Sequence, residues 1–266
     1  MTPMARLEAC LAQHWWVPNG VDVVDRPALC YLASSAIPAL NLVLRLRGTP
    51  VELPALVDEI HEAHRHAGST CWVYPHHEGA ALAGLLSRRG YRPGPAGDAR
   101  VMEIASCRVE QGDAFSVAPL KTLDDCRVGV AVSDAAFGRQ SAYTDADFRQ
   151  ILSLGTRAGA HRVQFLARTV ETGAPVAFGS VSIHEAEGFA VLLGGGTLPA
   201  FRGRGAYRAL LAARIGYARA CGVRWIGLFA DPTTSSPIVG RLGFVSYGRR
   251  VRWVRPPLST DDGIAH

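Results

Sequence analysis

Lysine is nearly absent from this chain. Lys121 is the only one among 28 basic residues, the rest being arginines. That skew reads as composition bias, so a net charge of +5 says little for nucleic acid and more for a small anionic ligand. No apolar run of about 18 residues occurs, and no membrane span is expected. The N-terminus has no apolar core before a cleavage site, so no signal peptide is expected and the default location is the cytoplasm. The six cysteines (Cys10, Cys30, Cys71, Cys107, Cys126 and Cys221) form no C-x-x-C pair and are expected as buried, reduced thiols. No Walker loop and no Ser/His/Asp order is visible. His61 and His64 share a helical face while His66 is turned from it, so no metal site is expected.

What is present is a globular pattern. A hydrophobic content of 48% over 266 residues supports one large domain or two small ones. The first part reads as a short helix from Met4 to Trp16, strands near Val21–Val24 and Leu29–Leu32, and a strand Leu40–Leu46. A helix Leu53–Ala67 stopped by Gly68, a strand Cys71–Tyr74, a helix Ala80–Arg89 and a closing strand Arg100–Ala105 follow. A break falls at Glu110–Asp113. Beyond it the pattern predicts a strand at Phe115–Ala118 and helices Leu123–Phe137 and Asp145–Ala158, the second capped by Thr144. A meander of strands comes next: Val163–Ala167, Val176–Ile183 and Phe189–Leu198. A helix Gly205–Cys221 ending at Gly222, a strand Trp225–Ala230, a helix Ser235–Leu242 and a strand Val245–Val254 complete the pattern. Residues 256–266 read as a flexible tail.

The two parts resemble each other. Trp72 to Tyr91 and Trp225 to Phe244 are each a strand, a turn and a helix ending in Arg-Gly-aromatic, with the same 19-residue separation. The resemblance fails at one place. Thr197-Leu198-Pro199-Ala200-Phe201-Arg202-Gly203-Arg204-Gly205-Ala206-Tyr207 joins a strand to a helix through a Gly/Arg loop, which turns free backbone N–H groups toward a phosphate. Its counterpart, Arg47 to Pro54, carries two prolines, which lack N–H donors, and Glu52, which repels an anion.

Arg202-Gly203-Arg204-Gly205-Ala206 in this strand–loop–helix setting, with Leu242-Gly243-Phe244 downstream, resembles the GNAT acetyltransferase superfamily and its Arg/Gln-x-x-Gly-x-Gly/Ala signature. Tyr207 departs from it at the sixth position. The resemblance covers roughly residues 113–255. It implies an α/β chain of two GNAT-like domains, each a mixed, mostly antiparallel sheet flanked by helices. Residues 1–110 would be the degenerate domain and 113–255 the catalytic one. It implies acetyl-CoA or another short acyl-CoA as cofactor. The amides of Gly203 to Tyr207 would face the pyrophosphate, with Arg202 and Arg204 adding charge. Gly196, Thr197 and Leu198 would line the pantetheine, an N–H near Gly196 or Thr197 would meet the thioester oxyanion, and Ser235 and Ser236 would lie nearby.

By the same resemblance the reaction is transfer of an acyl group to a primary amine of a small molecule, by direct attack in a ternary complex. The family's acid tyrosine falls on Val239 here, leaving Tyr247 as a substitute. Asp231, at the end of the strand Trp225–Ala230, is the first candidate for the base. Two other readings stay open: a Fem-like aminoacyltransferase using aminoacyl-tRNA, and a non-catalytic acyl-CoA-binding protein. A homodimer is open as well. No nucleic acid, membrane or metal partner is expected, and the sequence leaves the amine and the acyl length unnamed.

Overall fold

The computed structural model describes residues 1–13, 17, 20–35, 37, 40–74, 79–110, 112–156 and 158–257. In chain order these form α1 (Pro3–Leu11), β1 (Asp22–Arg26), β2 (Leu29–Ala33), β3 (Leu42–Leu46), α2 (Leu53–Ala63), β4 (Ser69–Val73), α3 (Gly79–Arg88) and β5 (Arg92–Glu103). There follow β6 (Phe115–Pro119), α4 (Leu123–Phe137), α5 (Asp145–Ser153), β7 (Ala160–Thr169), β8 (Pro175–His184) and β9 (Phe189–Thr197). The chain ends with α6 (Ala206–Ala220), β10 (Trp225–Ala230), α7 (Ser235–Arg241) and β11 (Val245–Arg255). The fold is a mixed α/β one.

The chain folds as two compact units. The first holds Met1–Cys10, Arg100–Leu228 and Pro237–Ser246, and the second Leu11–Ala99, Phe229–Ser236 and Tyr247–His266. These units do not follow the expected cut at 110–113. The N-terminal helix and the end of β5 belong with the later residues, and most of β11 belongs with the earlier ones. Strand pairing is the physical reason. Val251–Arg255 pair antiparallel with Ser69–Val73, so the chain's last strand completes the sheet of the second unit.

In the first unit the strand order is β10-β9-β8-β7-β6, antiparallel except for β9 beside β10. β8 and the first half of β9 are buried along their length, as central strands covered on both faces are. Helices α4 and α6 cover the two faces. A Cβ placed on Gly195 would meet Tyr207 and Arg214 of α6, and one on the next residue, Gly196, would meet Ala136 and Phe137 of α4. Both α4 and α5 start on capping boxes, Thr122 with Asp125 and Thr144 with Asp147.

In the second unit the order is β1-β2-β3-β4-β11, with β3 and β4 parallel. Leu53, Val57 and Ile60 of α2 and Leu82, Leu85 and Leu86 of α3 pack into one core with Leu29, Val43 and Cys71. Arg255 is buried there. Its Nη2 donates to the His64 carbonyl at 2.7 Å, and the guanidinium lies 5.7 Å from the Tyr91 ring centre.

Several boundaries differ from the sequence reading. β5 begins at Arg92, because Pro93, Gly94 and Pro95 look like a loop yet form a strand. α5 stops at Ser153 and tightens into a 3-10 turn over Leu154–Thr156. α2 ends at Ala63, and Gly68 is no helix stop. A Cβ on it would lie 3.3 Å from the Arg255 carbonyl, so it is glycine because β11 passes close. Gly222 is a helix stop, at φ +73°. Trp15, Trp16, His76, His77 and the tail beyond Pro257 lie outside the described residues. All six cysteines are free thiols and five are buried. His61, His64 and His66 do not converge. His64 bonds Ser69 and Leu32, His61 meets Arg255, and exposed His66 accepts from Arg65.

Two histidines are held neutral by burial. The ring of His64 and that of His184 are each pushed down to about 4, against an ordinary 6.5. As pH falls, the unfolded chain therefore takes up protons before the folded one. The stability these rings contribute is full above about pH 6.5 and is lost progressively toward pH 4, by roughly 3 kcal/mol each at most. Urea unfolding from about pH 7 down to about pH 5 should show that decline, and His64→Gln should flatten it by about half; equal slopes in the two proteins would contradict the assignment.

Candidate active site

β9 departs from regular pairing at its three glycines. Leu193 pairs with Ser180 and Gly196 with Phe178, so Gly194 and Gly195 bulge opposite the single residue Gly179. Gly194 sits at φ +56°, a left-handed conformation that glycine adopts without strain. On the other side, β9 pairs with β10 from Phe189–Trp225 to Val191–Gly227 and parts from it beyond. The two strands therefore open beyond Val191 and Gly227, just ahead of the bulge.

Arg214 of α6 lies directly beneath that bulge. It is 1% exposed, and its charge is met by carbonyls rather than by a carboxylate: Nη1 donates to Ser180 O at 3.2 Å and to Leu193 O at 3.5 Å, and Nε to Leu210 O. Its Nη2 has no hydrogen-bond partner among the described residues. Burial lowers its pKa to about 10, so it remains charged at neutral pH. A Cβ on Gly179 would lie 2.8 Å from Nη1, and one on Gly195 3.0 Å from Nη2. Both glycines are required by the guanidinium. The Tyr207 ring fills the adjacent space, 3.0 Å from the same Gly195 position. Its side chain turns away from the loop and back under β9, and burial raises its phenol pKa.

The loop ahead of α6 is braced by Arg202, which donates from Nε to Thr197 O at 3.2 Å and from Nη2 to Ala136 O at 3.1 Å. That guanidinium ties the end of β9 to the end of α4. Gly203 and Gly205 have φ +73° and +93°, and Gly205 is the N-cap of α6 with no side chain bonding the helix start. The first-turn amides of Ala206, Tyr207 and Arg208 thus point from an uncapped end. Arg204 and Arg208, one turn apart, line a cavity of about 290 Å³ with Gly205, Phe115, Glu110 and Asp113.

The corresponding loop in the second unit is closed by the chain itself. Glu52, at the N-cap of α2, accepts from the Thr49 amide and the Thr49 hydroxyl, both at 2.9 Å. These bonds hold its carboxyl below the usual range. The carboxylate is engaged within the turn and makes no side-chain bond to the start of α2.

Residues 131–244 match the Acetyltransferase (GNAT) family. The chain carries a GNAT acetyltransferase domain. Solved structures of the same fold extend over nearly the whole chain. A GCN5-related N-acetyltransferase from Kribbella flavida is 17% identical at a TM-score of 0.63, covering 98% of this chain and 96% of its own. A tandem GNAT protein from the clavulanic acid biosynthesis pathway is 18% identical at 0.64, covering 92% and 86%. A GCN5-related N-acetyltransferase from Sphaerobacter thermophilus is 19% identical at 0.60, covering 90% and 78%. No curated protein matches the sequence.

The GNAT domain places the remaining expected residues less simply. Asp231 is the anchor of the turn before α7. Its Oδ1 accepts from the amides and hydroxyls of Thr233 and Thr234, which lowers its pKa and weakens it as a base. Ser235 closes the same turn on the Asp231 amide at 2.9 Å. Ser236 donates to Asp98 at 2.6 Å, where Arg249 also donates. Asp231, Ser235, Ser236 and Tyr247 fall in the second compact unit, whereas residues 196–207 fall in the first. Tyr247 is 37% exposed on β11, and Val239 is fully buried. His161 bonds Tyr217 at 3.1 Å.

Cys10, His184 and Glu187 are the one metal-capable group among the described residues, their ligand atoms within 4.8 Å of one another. Arg6 bonds the Glu187 carbonyl and Arg162 acts on His184, so arginine already supplies positive charge at that corner. Sequence reading missed Arg214 and Arg208. Arg214 was legible as a cation on the apolar side of α6, seven residues after Tyr207 and four after Leu210.

Gly195→Ala should cost about 1–3 kcal/mol in thermal unfolding, since its Cβ would lie 3.0 Å from both Tyr207 and Arg214 of α6. A variant as stable as the parent would mean that Arg214 is not seated under the bulge.

Proposed function

We propose that this protein is an acetyl-CoA-dependent N-acetyltransferase that transfers an acyl group to the primary amine of a small molecule, by direct attack in a ternary complex. The observation that carries the reading is the start of α6. It is uncapped and glycine-lined, and it adjoins a β9 that has parted from its neighbour, whereas the matching loop is filled by Glu52.

The acyl-CoA supplies the activated thioester acyl group. The amides of Gly203, Arg204, Gly205, Ala206 and Tyr207 would hold the pyrophosphate, aided by the positive end of α6 and by Arg204 and Arg208. Arg202 would act by holding the loop in shape. Gly196, Thr197 and Leu198 would lie along the pantetheine, with an N–H near Gly196 or Thr197 at the thioester oxygen. The resemblance also names Ser235 and Ser236 as contacts of the cofactor arm, but Ser236 is buried against Asp98 and does not suit that role.

An alkyl amine of pKa about 10.4 requires about 4–5 kcal/mol to be neutral at pH 7. Asp231 is poorly suited to relieve this. The base must be another group or solvent, and Tyr247 remains the substitute acid because a buried valine holds the position where the family carries tyrosine. Residues 1–110 and 113–255 are read as two halves of a duplication in which only the second keeps the cofactor loop. We place the protein in the cytoplasm, with a small-molecule amine as its partner.

Acetyl-CoA should raise the melting temperature, and free thiol should appear with some members of an amine panel that includes amino acids and aminoglycosides. Gly205→Glu, which places bulk and charge at the loop, should abolish the thermal shift, while Gly48→Glu in the closed loop should leave it intact. Binding without thiol release across the panel would favour a non-catalytic acyl-CoA-binding protein. No shift at millimolar acetyl-CoA would sink the reading and reopen aminoacyl transfer.

A further inference from the structure

The bulge is held from below by a charge that no carboxylate neutralises, and the direction of the bonds it makes says what it is for. Arg214 Nη1 reaches the Ser180 carbonyl on β8 and the Leu193 carbonyl on β9, the two carbonyls that flank the bulge. The Leu193 carbonyl also accepts from the Ser180 hydroxyl at 3.4 Å, so it faces β8. No peptide bond here is cis. In a trans peptide the N–H points opposite to its own C=O, so the Gly194 N–H points away from β8 and from Arg214, toward the side on which β9 leaves β10. A cation bonded to the carbonyl of a peptide polarises that peptide and makes its N–H a stronger donor.

We propose that Arg214 is the positioning residue of the acyl site: from beneath the bulge it fixes the Leu193–Gly194 peptide and polarises the Gly194 N–H as the donor for the negative charge that develops on the thioester oxygen. This rests on the acetyl-CoA reading above and moves the oxyanion donor from Gly196 or Thr197 to Gly194. It accounts for three glycines at once. Gly179 and Gly195 make room for the guanidinium, and Gly194 takes the left-handed conformation in which the chain leaves that peptide and enters the bulge. It also gives a reason for burying a guanidinium among carbonyls, an arrangement that costs free energy without a carboxylate partner.

The test separates positioning from folding and from cofactor binding. In Arg214→Gln, acetyl-CoA affinity by calorimetry should stay within about threefold, because Arg214 makes no bond to the backbone of the loop at residues 203–207, while kcat falls by about 10- to 100-fold. Arg214→Lys, which keeps the charge but bonds one carbonyl at most, should recover part of that loss. In the unliganded protein the Gly194 amide proton should move upfield in the Gln variant and return partway with Lys. An unchanged kcat, or a kcat and an affinity lost in equal proportion, would overturn the proposal. If the Gln variant does not fold, the Lys variant decides: a kcat equal to that of the parent overturns the proposal, and a three- to tenfold loss at unchanged affinity supports it. A parent that binds no acetyl-CoA would defeat the functional reading alone. The amide shift in the unliganded protein would still decide the role of Arg214, an unmoved Gly194 resonance counting against it.

Discussion

Beneath the β8–β9 bulge lies a guanidinium with carbonyls for partners, and much of the first unit is arranged around keeping it there. A buried cation without a carboxylate is expensive. Its hydrogen bonds to Ser180, Leu193 and Leu210 offset part of that cost, and they join α6 to both strands that flank the bulge. Just ahead of the bulge, β9 parts from β10 after Val191. Glycine at 179 and 195 follows from the same contact, because any side chain there would occupy the space of Arg214.

Helix starts show a second constraint. Orphan N–H groups open every helix, and proteins commonly satisfy them with side chains. Here α4 and α5 do so with threonine–aspartate boxes, and the turn into α2 is closed by Glu52. Neither α2 nor α6 has a side chain bonding its first amides; a glutamate tied to Thr49 precedes α2, and glycine and arginine precede α6. The two related loops thus differ in charge: one carries a glutamate, and the other arginines and glycines.

That difference fits a duplicated architecture with divided work. The β3–α2–β4 and β9–α6–β10 segments are each two parallel strands joined by a helix. One encloses an apolar core with a sealed loop, and the other keeps a bulge, a buried cation and an open helix end. Asp231 shows the limit of analogy: its position at a strand end suggested a base, but four bonds from Thr233 and Thr234 make it a turn anchor.

The sequence by itself determined most of the elements, because the apolar period that reveals a helix or a strand is local. α4 runs from Leu123 to Phe137 and Thr144 caps α5, as the pattern required. It also located the loop, since Gly203 and Gly205 beside Arg202 and Arg204 are a local signal. Tertiary structure alone decided which residues share a compact unit, since Val251–Arg255 choose Ser69–Val73 as partners across nearly 180 residues of chain. It decided that β5 starts among prolines, that Arg202 braces rather than floats, and that Asp231 is tied. It alone placed Arg214 under Gly179 and Gly195. Packing across a sheet brings together residues that no sequence period connects, and the charge at this site is set by that packing.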